Sequence, residues 1–265
     1  MNIVGYAASI FIGISLGIIG GGGSILTVPV LVYLFSLDAV LATAYSLFIV
    51  GITSAVGSFS YFKKGLVNIK TAMIFGIPSI VAIFFTRTYI VPALPAQILS
   101  VGSFVLTKNI LLMLIFALLM VLASYSMIKK DKVEDGDIVH RQTLNYPLIF
   151  IQGIYIGAIT GLIGAGGGFL IIPALVNLLK LPMKTAVGTS LVIIAINALM
   201  GFLFSLWHTE IAWGFLLSVV FIAVIGILIG SYLSTKINGK KLKPVFGWFV
   251  LVMGIYIIVK EILFI

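Results

Sequence analysis

The chain has 265 residues, of which 62% are hydrophobic and only 9% are charged, with no cysteine and a formal net charge of +9. A soluble domain cannot bury so much apolar surface, so the composition places the protein in a lipid bilayer. Because the basic residues lie between apolar runs, the positive charge reads as a topology signal, and nucleic acid is not an expected partner. The lack of cysteine excludes disulfides, thiolate metal sites and cysteine nucleophiles.

Apolar runs follow one another along the chain, with one polar segment in the middle. They cover about 3–19, 25–36, 40–62, 68–88, 109–128, 146–163, 168–180, 183–207, 211–235 and 244–263. Most reach the ~20 residues that a helix needs to cross the hydrocarbon core, but 25–36 and 168–180 do not. Each of these two short runs follows a glycine cluster. We therefore expect two helical hairpins whose tips lie within the membrane.

The two halves repeat one another at a fixed offset of 144 residues. Positions 13–57 and 157–201 align without a gap and share 18 identities in 45. Paired apolar segments that are broken by glycine at matching positions of two halves indicate a transporter. The sequence predicts a first transmembrane repeat at 1–128, a linker at 129–145 and a second transmembrane repeat at 146–265.

The basic loops orient these segments. Under the positive-inside rule, Lys63 and Lys64, the 129–145 linker and the 236–243 loop are cytoplasmic, whereas Asp38 and His208 lie outside. Five segments per half then make the second repeat enter the membrane from the opposite face. The predicted fold is an all-α polytopic membrane protein with two inverted-topology repeats, each a glycine-broken helical hairpin followed by three spanning helices. Both termini are predicted outside; Arg87 and Lys108 fit this topology least well.

The spans carry little catalytic chemistry. All seven acidic residues fall in loops, in the linker or at a chain end, and the two histidines lie in the linker and at the end of a span. This argues against a metal-ion pump, a carboxylate proton relay and a membrane-embedded enzyme. No metal site and no cofactor are expected. What remains is a site built from backbone dipoles, hydroxyls and amides.

The glycine clusters suit such a site. Glycine lets a ligand approach backbone N–H groups closely, and the helix after each cluster presents the positive end of its dipole. Two such helix ends facing each other would bind a small anion. The alternative is that the glycines only allow close helix packing, which we expect of Gly13, Gly17, Gly157 and Gly161. The candidate substrate-binding residues in and after the clusters are Gly20, Gly21, Gly22, Gly23, Ser24, Thr27, Gly164, Ala165, Gly166, Gly167 and Gly168.

Polar residues in the later spans complete the candidate site. Ser46 and Ser190 match between the repeats and could turn their hydroxyls toward the clusters, unless each bonds to a carbonyl of its own helix. Asn197 is costly in an apolar run unless it is partnered. Arg87 and Gln152 are further candidates. Because Arg87 is near the end of its span, we expect its side chain to extend toward the lipid headgroups.

At the clusters the chain resembles the TauE/SafE family of sulfite exporters and related anion transporters. The resemblance rests on residues 17–24 with Pro29, on residues 161–168 with Pro173, and on the stretches 42–46 and 186–190. It implies an inner-membrane carrier, an exporter, for sulfur-containing or organic anions such as sulfite, thiosulfate or sulfoacetate. Ala44-Tyr45 in the first repeat stands where the second has Gly188-Thr189, so the half-sites are expected to differ.

We therefore predict a secondary transporter that works by alternating access around a midplane site. Its partners are a small anionic substrate, the bilayer and, where a gradient drives transport, a coupling ion. No Walker A motif is present, so energy must come from a gradient or from a partner protein. The alternatives are a carrier or a channel for another small solute.

Overall fold

A computed structural model describes residues 3–101, 104–128, 146–177, 179, 181–208, 210–234 and 239–263. The 129–145 linker, with His140, lies outside these residues. The described residues form a helical bundle, and five of the helices are long and apolar enough to cross a membrane. The prediction of an all-α polytopic membrane protein is confirmed.

The first half contributes five helices. A 3-10 segment at Gly20–Leu26 leads from the first helix into the short second one, which ends in a π turn at Val30–Leu34. The fourth helix contains a π turn at Thr86–Ile90. The helices are α1 (Ile3–Ile19), α2 (Gly23–Leu34), α3 (Ala39–Lys63), α4 (Ile69–Ala93) and α5 (Lys108–Ile128).

The second half contributes five more helices in the same order. They are α6 (Tyr146–Ile163), α7 (Gly168–Asn177), α8 (Met183–Ser205), α9 (Trp213–Ser234) and α10 (Gly239–Leu263). The first four helices of the two halves keep the 144-residue offset of the sequence to within one or two residues at their starts, whereas α5 and α10 do not. Thus α1 ends at Ile19 and α6 at Ile163, and α4 begins at Ile69 and α9 at Trp213.

An antiparallel strand pair interrupts this symmetry. Strands β1 (Gln97–Val101) and β2 (Phe104–Thr107) pair with Gln97 opposite Thr107 and Val101 opposite Phe104. The sequence prediction treated this stretch as part of a loop between apolar runs. The pair lies between α4 and α5, a connection that is longer than its counterpart between α9 and α10.

Local signals explain where the helices begin. Asp38 accepts hydrogen bonds from the backbone N–H groups of Val40 and Leu41, and so caps the start of α3. Asn68 accepts a hydrogen bond from the N–H of Thr71 and caps α4 in the same way. In the second half Pro182 occupies the position that precedes α8. The side chains of Asp38 and Asn68 satisfy N–H groups that a helix leaves unpaired at its start.

Helices α3 and α8 form the centre of the bundle. In the most apolar stretch of each of these two helices, two-thirds of the residues are buried, against 39–44% in the other long helices. The two helices run antiparallel, because Phe48 stacks near Phe202 with ring centroids 4.7 Å apart, whereas Tyr61 lies beside Gly188. These two equivalent helices therefore point in opposite directions.

The first helix of each half packs against the fourth helix of the other half. A Cβ atom placed on Gly13 would collide with the backbone of Ala223, and one on Gly17 would collide with the backbone of Ser231. The same close contacts recur between α6 and α4. A Cβ atom placed on Gly157 would collide with the backbone of Ser79, and one placed on Gly161 would lie 2.8 Å from the Cβ of Thr86. The prediction that these four glycines serve helix packing is confirmed.

Candidate functional site

The two glycine clusters meet inside the bundle. A Cβ atom placed on Gly21 would lie 2.6 Å from the Cα of Gly168, so the two backbones are in direct contact. Gly168 is the first residue of α7, and Gly21 lies in the 3-10 segment that leads into α2. The structure therefore brings together the starts of the two short helices. We call this contact the glycine junction.

One pair of equivalent glycines, the first of each cluster, has the same backbone conformation on the two sides of the junction. Gly20 and Gly164 both have φ of +74°, in the left-handed region that glycine adopts without strain. Gly166 and Gly167 also have positive φ, at +67° and +69°. Such angles turn the chain sharply from α1 into α2 and from α6 into α7. Gly22 and Gly23 lie in the same 3-10 segment as Gly20.

Helices α3 and α8 cover the junction with matching residues. An ideal Cβ on Gly164 would meet the backbone and side chain of Thr43, and one on Gly20 would lie 2.8 Å from Val187, the residue equivalent to Thr43. Ile194 packs against both Gly21 and Gly168. Its side chain thus fills the space directly beside the junction.

The position of Ile194 gives the height of the junction in the bundle. Ile194 is the midpoint of α8, and its equivalent Val50, which packs against Gly166, is within one residue of the midpoint of α3. The junction consequently lies halfway along the two central helices. Gly164 lies closer to the start of α3, about 10 Å from this midpoint at 1.5 Å per residue.

The two candidate serines differ in their hydrogen bonding. The hydroxyl of Ser190 donates to the carbonyl of Val187, 2.8 Å away in its own helix. The hydroxyl of Ser46 is fully buried and has no hydrogen-bond partner among the described residues. Ser46 lies on the face of α3 between Thr43 and Val50, both of which contact the second cluster. Of these two serines, Ser46 can therefore donate to a ligand directly, whereas Ser190 would first have to give up its bond to Val187.

The other hydroxyls near the clusters also fall into two groups, those with a hydrogen-bond partner and those without one among the described residues. Ser24 donates to the carbonyl of Gly21 at 2.7 Å. Thr27 and Thr160 are buried, and neither hydroxyl has a hydrogen-bond partner among the described residues. The hydroxyl of Thr160 lies against Gly167 in the second cluster. Ala165, within that cluster, is also buried.

Asn197 is held by a hydrogen bond between helices. Its side-chain amide donates to the hydroxyl of Ser79 in α4 at 2.7 Å, and both residues are fully buried. The carbonyl oxygen of Asn197 has no hydrogen-bond partner among the described residues. The bond ties α8 to α4. Ser79, which the sequence prediction did not single out, is the partner that Asn197 needed.

Gln152 lies away from the junction. It is partly buried near the start of α6, more than ten residues before the second cluster, which is about 18 Å along a helix. There it lines a small cavity together with Phe75 and Ile149. The structure does not bring it together with the glycines.

The expectation that Arg87 extends toward the headgroups is wrong. Its side chain is only 3% exposed, and one terminal nitrogen, Nη1, donates to the hydroxyl of Thr43 at 3.1 Å. The reason is that α3 and α6 cover this part of α4, which the position of Arg87 in the sequence does not reveal. Thr43 was likewise not among the sequence candidates, although its place one turn before Ser46 is visible in the sequence.

The described residues contain no group of three or more His, Asp or Glu side chains that could hold a metal ion. The buried polar side chains of the candidate site are hydroxyls, the Asn197 amide and the Arg87 guanidinium. Such groups recognise a ligand by hydrogen bonds and charge.

Comparison with known proteins agrees with this architecture. The family model described as "Sulfite exporter TauE/SafE" matches residues 6–257. A probable membrane transporter protein of Xylella fastidiosa is 28% identical over 252 residues, covering 93% of this chain and 91% of the relative. The probable membrane transporter protein YdhB of Bacillus subtilis is 29% identical over 241 residues, covering 88% of this chain and 89% of the relative.

An archaeal relative extends the same pattern. The probable membrane transporter protein MJ0441 of Methanocaldococcus jannaschii is 28% identical over 251 residues, covering 87% of this chain and 85% of the relative. No solved structure matches the chain significantly. The family and these relatives are named as transporters and not as enzymes. The chain therefore belongs to the TauE/SafE sulfite exporter family and is a multi-pass membrane transporter for a small molecule.

Proposed function

We propose that the protein is a secondary transporter, working as an exporter, of small sulfur-containing or organic anions such as sulfite, thiosulfate or sulfoacetate. The observation that carries this proposal is the contact between Gly21 and Gly168 halfway along α3 and α8. Helix starts carry partial positive charge, so two that meet away from water attract an anion. The remaining binding groups are the glycine backbones of both clusters, Thr27, Ser46, Ser190 and Asn197.

The surroundings of the junction support an anion rather than a cation. None of the three described carboxylates bonds to the groups at the junction. Asp38 accepts from Asn109, Glu261 accepts from Tyr33, and Glu210 is exposed between α8 and α9. Ser46 offers a buried hydroxyl that can donate to a ligand. A hydrogen bond from such a group to a charged ligand is worth about 1.5–3 kcal/mol.

The transporter is proposed to have two inverted repeats in the inner membrane, with the termini outside and the 129–145 linker in the cytoplasm. The antiparallel course of α3 and α8 supports this arrangement, because equivalent helices of inverted repeats run in opposite directions. Burial of Arg87 removes one of the two basic residues that conflicted with the positive-inside rule.

In this proposal, each body that moves during alternating access contains helices from both repeats. Helix α1 packs on α9 and α6 packs on α4, so the first helix of each half forms a pair with the fourth helix of the other half. The proposed moving units are these two mixed pairs, which shift against α3 and α8 and expose the junction to one face at a time. Ile194, packed on Gly21 and Gly168, has to move aside when the substrate binds.

Uptake into proteoliposomes tests the proposal. Purified protein should take up labelled sulfite, sulfoacetate or thiosulfate with saturable kinetics, and unlabelled anion inside the vesicles should accelerate entry by counterflow. The same anions, and not uncharged analogues, should raise the thermal unfolding temperature, because a ligand that binds only the folded state stabilises it. Varying the pH gradient across the vesicles identifies coupling to protons. Stabilisation by neutral analogues alone, or flux without saturation, would contradict the proposal.

A further inference from the structure

Arg87 is a buried cation with unused hydrogen-bonding capacity. It lies in the π turn of α4, and its side chain is 3% exposed. Nη1 donates to Thr43, whereas Nε and Nη2 are buried without a hydrogen-bond partner among the described residues. These two nitrogens lie on one edge of the guanidinium plane and donate in parallel. That geometry fits a carboxylate or another oxyanion with two oxygens in reach.

No protein group neutralises this charge in the part of the chain that the structure describes. The one hydrogen-bond partner of Arg87, Thr43, is neutral, and neither Nε nor Nη2 has a partner among the described residues. A charge within a membrane protein is costly unless it is paired, and such residues mark substrate pathways. The unpaired charge and the two unpartnered nitrogens both favour an anion as the ligand of Arg87.

Arg87 is next to the second glycine cluster. Thr43, its hydrogen-bond partner, contacts Gly164, and Thr86, the preceding residue, contacts Gly161. The unpartnered hydroxyl of Ser46 is one helical turn beyond Thr43 on α3. A ligand that leaves the glycine junction toward the start of α3 therefore passes the guanidinium.

The first cluster has no such group. The 144-residue offset, which aligns the starts of α4 and α9, places Val187 at the position of Thr43 and Ser231 at that of Arg87. Gly20 contacts Val187 as Gly164 contacts Thr43, so the backbone frames match while the side chains do not. At these equivalent positions, both of which the structure describes, only the side of the second cluster carries a positive charge.

We propose that Arg87, held in place by Thr43, is an oxyanion-binding residue on one side of the glycine junction, the side on which α3 begins. It takes small oxyanions with two or more equivalent oxygens, such as sulfonates, sulfite and carboxylates, in preference to halides. Nε and Nη2 bind two oxygens of the ligand. The proposal rests on the anion transport proposed above and deepens it, because it assigns the main charge contact to one residue.

Binding measurements on purified full-length variants test this assignment. Arg87→Ser copies the residue of the second half, Arg87→Lys keeps the charge without the paired donors, and Thr43→Val copies Val187. Lys64→Gln removes an exposed charge as a control. Affinities for sulfite, sulfoacetate, acetate and chloride come from calorimetry and from thermal stabilisation.

The expected result is graded. Arg87→Ser should weaken oxyanion binding at least thirty-fold, and Thr43→Val should weaken it about three- to ten-fold. Arg87→Lys should retain part of the affinity but lose most of the preference for oxyanions over chloride. Lys64→Gln should bind as the wild type does. The unliganded Arg87→Ser protein should unfold at or above the wild-type temperature, because an unpaired buried charge has been removed.

Two outcomes distinguish a failure of the arginine assignment from a failure of the proposed function. If wild-type protein binds and transports oxyanions but Arg87→Ser binds them within two-fold of wild type, the arginine assignment is overturned and the glycine junction alone accounts for binding. If the wild type binds no anion at all, the proposed function itself fails. Should Arg87→Ser fail to fold, Arg87→Met provides the same comparison; if both unfold, the arginine is structural and the assignment is overturned.

Discussion

Tyr45 and Thr189, equivalent residues of the two halves, make the same hydrogen bond with different side chains. The hydroxyl of Tyr45 accepts from the backbone N–H of Ala212 at 2.6 Å, and that of Thr189 accepts from the N–H of Asn68 at 2.9 Å. Ala212 and Asn68 are themselves 144 residues apart and directly precede α9 and α4. Each central helix therefore holds the start of the other half's fourth helix.

Loss of either hydroxyl should destabilise the protein. Tyr45→Phe keeps the ring contact with Phe215, and Thr189→Val keeps the shape of the side chain, so each removes one hydrogen bond. Hydrogen bonds between helices in membranes average about 0.6 kcal/mol and reach about 1.7 kcal/mol. Each variant should lower the thermal unfolding temperature in detergent.

Thr53→Val is the control for this comparison, because the hydroxyl of Thr53 bonds only to carbonyls of its own helix. A loss of stability in this variant as large as in Thr189→Val would show that the hydrogen bonds to the fourth helices contribute nothing particular.

The glycine junction should not tolerate a methyl group. In Gly168→Ala the new Cβ would meet the backbone of Gly21 and the side chain of Ile194, and would push the two short helices apart. We expect a clear fall in unfolding temperature together with loss of anion binding. Gly76→Ala is the matched control, since a Cβ there has nothing within 4 Å. It should be neutral or should stabilise α4 by about 0.5–1 kcal/mol. Equal behaviour of the two variants would show that the junction is not tightly packed.

Ser79 and Asn197 should be energetically coupled. Ser79→Ala and Asn197→Ala each break the 2.7 Å bond between α4 and α8. In a double-mutant cycle on unfolding free energies, the coupling should be about 0.6–1.7 kcal/mol. Additive effects of the two substitutions would mean that the bond does not stabilise the protein.

Single cysteines should resolve the topology without background labelling, because the chain contains none. Lys64 and Glu210 are exposed and lie in equivalent connections, between α3 and α4 and between α8 and α9. In inverted repeats these connections face opposite sides, so an impermeant thiol reagent should reach Glu210→Cys from outside and Lys64→Cys only from the cytoplasm. Labelling of both from one side would exclude the inverted arrangement.

Hydropathy was sufficient to predict where the helices lie, because every described helix overlaps an apolar run. The start of α10 was predicted wrongly, since the helix begins at Gly239, within the stretch 236–243 that was expected to be a loop. The repeat offset also predicted the matching bounds of α1 and α6. The strand pair between α4 and α5 was missed, since its residues, such as Ile98 and Val105, are as apolar as those of the helices beside it. Its pairing depends on contacts between strands that hydropathy does not report.

The side-chain partners of the site could not be read from the sequence. Asn197 was recognised as costly, but its partner Ser79 is 118 residues away in the chain. Arg87 was placed at the lipid surface because it is near the end of α4, whereas the helices that bury it come from elsewhere in the sequence. The divergence of Tyr45 from Thr189 suggested unequal half-sites, yet these two residues make equivalent bonds. The inequality lies instead at Thr43 and Val187.

The exchange of first helices between the halves has a consequence for biosynthesis. The glycine face of α1 is synthesised before its packing partner, because the backbone around Ala223 and Ser231 is made more than two hundred residues later. That face therefore lacks its partner until α9 has been inserted, and the first half cannot complete its packing before then.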